Sequence, residues 1–66
     1  MKHLGKLFKK YRVSRGLTLW DVAKVGVSTS QLSRFEQVKT DLTITRLALV
    51  LEEMNVPIAE FMHVAG

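Results

Sequence analysis

No cysteine occurs in these 66 residues, so neither a disulfide framework nor a Cys-ligated zinc can hold the fold together. Histidine is nearly as scarce. His3 and His63 lie at opposite ends of the chain and form no metal-ligand spacing, so no metal or cofactor is expected. One proline and four glycines are too few for a disordered linker. No apolar run approaches the roughly 18 residues of a membrane span. The start, Met1-Lys2-His3-Leu4-Gly5-Lys6, is charged and never reaches the apolar stretch of a secretion signal. The lack of cysteine fits a reducing, cytoplasmic setting. Acidic residues are also in deficit, 6 against 10 Lys and Arg, for a net charge of +4.

What is present is apolar surface, at 47% of the chain, and stability must come from packing it. A domain this small hides only about 60% of the surface of its unfolded chain, so residues 1–66 form one domain at most. The charge is unevenly placed. Residues 1–34 hold eight basic side chains (Lys2, Lys6, Lys9, Lys10, Arg12, Arg15, Lys24 and Arg34) against Asp21 alone. Residues 35–66 hold Lys39 and Arg46 against five carboxylates. A side facing a polyanion produces such an asymmetry; so does a merely solvated helix face.

Periodicity predicts five short helices around one core. Leu4, Leu7, Phe8, Tyr11 and Arg15 share one face of a helix over about residues 3–15, closed by Gly16. Thr18 is the expected cap of a second helix, Leu19–Val25, with Asp21 completing a capping box and Gly26 ending it. Ser28 caps a third, Thr29–Gln37, with Leu32 and Phe35 inward. Thr43 caps a fourth, Ile44–Glu53, which presents Ile44, Leu47, Ala48 and Leu51 on one face. Asn55-Val56-Pro57 breaks the chain before a last helix, Ile58–His63. Met54, Phe61 and Met62 read as core, and His63 as a terminal surface residue.

Two short helices joined by a tight glycine-containing turn, over about residues 18–37, point to a helix-turn-helix. In that motif the first helix crosses the DNA backbone and the second enters the major groove. Ala23 supplies a small residue for a close crossing, Gly26 the turn and Leu32 the anchor of the second helix. Thr29, Ser30, Gln31, Ser33 and Arg34 are polar and exposed in this reading.

Gly5, Phe8, Arg12, Gly16-Leu17-Thr18, Val22-Ala23, Val27-Ser28 and Leu32-Ser33-Arg34-Phe35-Glu36 resemble the Cro/CI-type (XRE) helix-turn-helix family, a compact all-α, lambda-repressor-like fold. The resemblance covers about residues 4–62. The spacing from Ala23 to Gly26 is one residue shorter than in most of that family. With Ser28 to Glu36 and Met54-Asn55-Val56…Glu60-Phe61, it is most similar to the N-terminal domain of the Rgg/MutR/GadR regulators of Gram-positive bacteria. The resemblance implies base contacts from Thr29, Ser30, Ser33 and Arg34. It implies backbone contacts from Ser28, Lys39 and Thr40, joined by Gln31 and, from their places in the motif, Lys9 and Lys24. It also implies an Arg12–Glu36 pair tying helix 1 to the recognition helix.

The chain departs from the family in three ways. Leu19 stands where a phosphate-binding Gln is usual, and Pro57 where a capping Ser or Thr is usual. Trp20 occupies a position that is normally polar. It is expected either to fold over the domain edge or, with Leu19, to form an exposed patch that docks a partner. The Rgg group carries a C-terminal helical-repeat domain that binds signalling peptides and dimerises. That implies a domain cut from a longer regulator, with a small stand-alone regulator as the alternative, a homodimer through regions outside this chain, and a monomeric or weakly dimeric isolated domain. The expected partner is double-stranded DNA. A protein-interaction module reusing the fold is the competing function, disfavoured by the polar, basic face of Thr29 to Arg34. Membrane-surface binding through helix 1 is disfavoured because its apolar residues are needed in the core. No Cys nucleophile, phosphate-binding glycine loop, metal cluster or triad-like Ser/His/Asp spacing supports an enzyme.

Overall fold

Hydroxyl side chains set where three of the helices begin. The computed structural model describes residues 3–24 and 26–66. It contains α1 (Leu4–Ser14), α2 (Leu19–Val22), α3 (Thr29–Glu36), α4 (Ile44–Glu53) and α5 (Ile58–Ala65). The hydroxyls of Thr18, Ser28 and Thr43 accept from the backbone N–H of Asp21 at 3.2 Å, Gln31 at 3.2 Å and Arg46 at 3.3 Å. At α2 and α3 the contact is reciprocal. The side chains of Asp21 and Gln31 accept from the backbone N–H of Thr18 and Ser28, each at 2.8 Å. Pro57 offers no such acceptor, and α5 starts without a side-chain cap.

Three helices also end alike, each closed by two backbone bonds around a left-handed residue. After α1, Leu17 N–H donates to Arg12 at 3.1 Å and Gly16 to Val13 at 3.0 Å. After α3, Lys39 donates to Arg34 at 2.9 Å and Val38 to Phe35 at 3.0 Å. After α4, Val56 donates to Leu51 and Asn55 to Glu52, both at 3.0 Å. The left-handed residues are Gly16 (φ 68°), Val38 (φ 61°) and Asn55 (φ 57°). Gly and Asn tolerate this region, whereas a β-branched residue there is strained.

Sequence and structure differ at three elements. The expected second helix ran to Val25, which lies outside the described residues. The observed α2 stops at Val22, because Ala23 turns extended (φ −64°, ψ 144°). Beyond it, Lys24 and Val27 exchange backbone bonds of 3.1 and 2.9 Å around Gly26, whose φ is 89°. That isolated bridge competes with the next helical turn and wins. Helix α5 runs two residues past His63, since no stop signal precedes Gly66. Ile44 is 60% exposed rather than inward. The first turn of α4, Thr43 to Arg46, projects past the core, and the buried stripe is Leu47, Val50 and Leu51.

One core joins the elements. Phe8 of α1, Val22 of α2, Leu32 and Phe35 of α3, Leu47, Val50 and Leu51 of α4 and Phe61 of α5 are buried together, with Val27, Met54 and Val56 from the connections. Helix α1 packs on α3, α2 on both α3 and α4, and α4 on α5. Arg15 ties the end of α1 to the α4–α5 connection by donating to the Met54 carbonyl at 3.0 Å, with its guanidinium 5.0 Å from the Tyr11 ring centroid. No helix of the described residues is long and apolar enough to cross a membrane.

Candidate nucleic-acid interface

The inward side of α3 is fixed by α1 at three successive places. Gly5 lies so close that a Cβ added to it would stand 1.8 Å from the Phe35 carbonyl oxygen. One turn on, Phe8 and Phe35 meet edge-to-face, ring centroids 5.7 Å apart. A further turn on, Arg12 grips Glu36 in bidentate fashion, Nε–H donating to Oε2 at 2.7 Å and Nη2–H to Oε1 at 2.9 Å. Its remaining nitrogen, Nη1, donates to the Leu17 carbonyl at 2.8 Å, beyond the end of α1. The two side chains are 12% and 5% exposed. The Glu36 carboxylate, chiefly by hydrogen bonding and then by charge, holds the Arg12 proton more firmly than in a free arginine, against the opposing effect of burial. The structure thus brings Arg12 and Glu36 together.

Gly5 enters the sequence reading only through the family resemblance, which says nothing of a crossing. The signal was there. A glycine inside a helix, three residues before a buried Phe, marks a close approach of another backbone. Ala23, expected at a close crossing, is half-buried at the extended end of α2.

The other side of α3 is polar. Ser30 and Arg34 are exposed, and Thr29, Gln31 and Ser33 half-exposed. Arg34 makes no side-chain hydrogen bond or ion pair among the described residues. Ser33 Oγ accepts from Gln37 Nε2 at 3.0 Å. Ser28 and Gln31 are joined in the capping box, so Gln31 Oε1 is engaged by the chain itself. Lys39 and Thr40 are exposed in the connection that leaves α3. Lys9 is exposed on α1, one turn beyond Gly5, and so flanks the line that packs on α3.

Lys24 has a partner that its sequence position did not reveal. Its ammonium pairs with Glu53 at the end of α4. Hydrogen bonding and charge from Glu53 raise its proton affinity above the ordinary lysine range. This leaves Lys24 less available to a phosphate than an unpaired lysine. On α2 the expected Leu19–Trp20 patch divides. Leu19 turns toward the core with Val22 and Ala23, following the i, i+3, i+4 face, and is half-buried. Trp20 is 82% exposed, neither folded over the domain edge nor extended by Leu19.

The match to a helix-turn-helix family model runs over residues 8–61. The chain is also similar to two solved structures of the Streptococcus dysgalactiae SHP pheromone receptor Rgg2. A cysteine-to-serine variant superposes with a TM-score of 0.87 at 32% identity, covering 94% of this chain and 23% of that one. The other superposes with a TM-score of 0.88 at 29% identity over the same shares. The chain thus spans about a quarter of the length of these receptors. They are of the Rgg type that the residues of α3 and the α4–α5 connection resemble.

Proposed function

The chain belongs to the helix-turn-helix family of DNA-binding transcription-regulator domains, and on that footing we propose that it reads double-stranded DNA by sequence, with α3 in the major groove. One observation supports this above the rest. The two sides of α3 are wholly unlike: one is held by α1 through Gly5, Phe8 and Arg12, the other is polar and carries Arg34, which has no ion-pair partner among the described residues. A helix that reads bases needs both a rigid back and a hydrogen-bonding front.

In this reading Thr29, Ser30, Ser33 and Arg34 meet base edges, and Arg34 discriminates most, since a bidentate arginine can select guanine. Ser28, Gln31, Lys9, Lys39 and Thr40 hold the phosphates on either side, with Lys24 a lesser contributor because of Glu53. The share of the receptors matched, about a quarter of their length, supports a DNA-reading module of a longer regulator. A dimer of such a regulator places two copies of α3 on half-sites about 34 Å apart.

Selection from random duplex DNA at stated salt tests the reading. An enriched half-site is expected, with affinity falling steeply as salt rises. Arg34→Ala should lower the specific-to-nonspecific ratio by about tenfold. An unchanged ratio removes Arg34 from the base-reading set, and no enrichment at any salt overturns the proposal.

A further inference from the structure

The side of α1 turned away from Gly5 and Phe8 is more than a solvated surface. Val13 is 58% exposed there and shares a shallow hollow of about 440 Å³ with Lys6, Lys9, Lys10 and Ser14. Lys6, Lys9 and Lys10 precede Val13 by two turns and by one, so their stems wall it with hydrocarbon while the ammonium groups stay in water. No carboxylate occurs in α1, and none of these lysines makes an ion pair among the described residues. The core and the proposed reading face leave this strip over, an aliphatic residue amid unmet positive charge.

A strip of opposite charge lies on α4. Leu49 is 38% exposed on the side away from Leu47, Val50 and Leu51, and Glu52 and Glu53 are exposed one turn further on. Glu53 pairs with Lys24, whereas Glu52 has no ion-pair partner among the described residues. The order of the parts decides how the two strips can meet. On α1, Lys9 and Lys10 precede the aliphatic residue by four and three positions; on α4, Glu52 and Glu53 follow it by three and four. Side by side in opposite directions, the helices set Val13 against Leu49, Lys10 against Glu52 and Lys9 against Glu53. Side by side in the same direction, the same aliphatic contact would bring Lys10 against Arg46. The opposed arrangement also offsets the helix dipoles. Each strip faces away from the core of its own chain, so its complement must come from another copy.

We propose that the outward strip of α1 in one copy docks antiparallel on the outward strip of α4 in a second copy, with Val13 on Leu49 and Lys10 paired with Glu52. Glu53 is shared with Lys24 of its own copy, so Lys10–Glu52 is the pair that sets the register. Two helix faces this short bury less than the roughly 1,200 Å² of a stable complex. The contact is therefore weak, with a Kd on the order of a millimolar, and weaker still in salt. It acts between copies already held as neighbours, where effective concentrations reach about a millimolar.

The test uses the 66-residue chain with no DNA present. Sedimentation equilibrium up to about 2 mM brackets the expected Kd. The mean mass should rise with concentration at low salt and return toward the monomer at about 0.5 M salt. Lys10→Glu and Glu52→Lys should each weaken self-association by about fivefold, and an equal mixture of the two variants should associate as the parent does. Val13→Ser should weaken it by about threefold and leave the salt dependence unchanged. All three positions are exposed, so the variants should melt as the parent does, and circular dichroism checks this. A chain that stays monomeric at every concentration overturns the proposal. So does a mixture no more associated than its two components, or association that survives both high salt and the charge reversals. A monomeric chain that binds poly-L-glutamate, and loses that binding with Lys10→Glu, makes the α1 strip a site for an acidic partner and overturns it as well. None of these outcomes bears on the DNA reading, which the selection experiment tests separately.

Discussion

The α1–α3 crossing and the turn between α2 and α3 both hold the proposed reading helix, by opposite means. At the crossing, a backbone contact, an aromatic pair and a two-point ion pair follow one another along a single stripe, all of it buried or nearly so. At the turn, a four-residue helix gives way to an isolated bridge, and the side-chain tie is a half-exposed lysine–glutamate pair. Exposed pairs contribute little, whereas buried bidentate ones fix geometry. The difference teaches that α3 takes its orientation from α1, a partner some 24 residues away in sequence, more than from the turn that names the motif.

Breaking the crossing should therefore do the most damage. Gly5→Ala tests it with one methyl group. In an open helix that change stabilises by roughly 1 kcal/mol. Here the methyl would overlap the Phe35 carbonyl, so α1 and α3 must part, at a cost of about 3 kcal/mol or more. A domain of this size has about that much to lose, so the variant should be largely unfolded at room temperature by circular dichroism.

Next comes the ion pair. Arg12→Ala or Glu36→Ala alone should cost about 3 kcal/mol, because each strands a partner in a place with little water. Removing both should cost less than the sum of the two, and a urea-denaturation cycle run in a stabilising osmolyte, which keeps the single variants folded, reads the coupling. Additive losses would mean that the pair ties nothing.

The smallest effect belongs to the turn side. Asp21, capping α2, has its carboxyl held below the usual range by hydrogen bonds from the Thr18 backbone and then its hydroxyl. A lowered carboxyl stabilises at pH values above its unfolded-state range and loses that contribution as pH falls through its folded-state value. Asp21→Asn should thus lower the melting midpoint slightly at neutral pH and converge with the parent in acid. A gap that widened in acid would contradict this sign. If the Asp21 change matched Gly5→Ala in size, the contrast between crossing and turn would collapse.

Much of this fold was readable before any coordinates. Thr43 and the Asn55-Val56-Pro57 break bracket α4 at the observed bounds, because caps and breakers act locally. Spacing alone overextends the second helix, since Val22, Ala23 and Val25 carry a helical pattern while the bridge that ends α2 depends on folding back. Ile44 has the spacing of a core residue, but nothing packs beyond the first turn of α4. At the interface, residue types on α3 could be read from spacing and family resemblance. The split between Leu19 and Trp20, and the capture of Lys24 by Glu53, could not, because each depends on which elements meet in space.

Val38 carries a consequence of its own. It holds the left-handed position after α3 that Gly16 and Asn55 hold after α1 and α4, and half its surface is in water, so burial does little to offset the strain. Replacing it by glycine relieves a steric cost of about 1–2 kcal/mol, part of which returns as unfolded-state entropy. Selection that only holds a protein above a threshold leaves such reserves unspent. One substitution at this site would give the domain a margin against which otherwise disabling changes on the α3 face could accumulate, making residue 38 a doorway through which the proposed reading surface could drift.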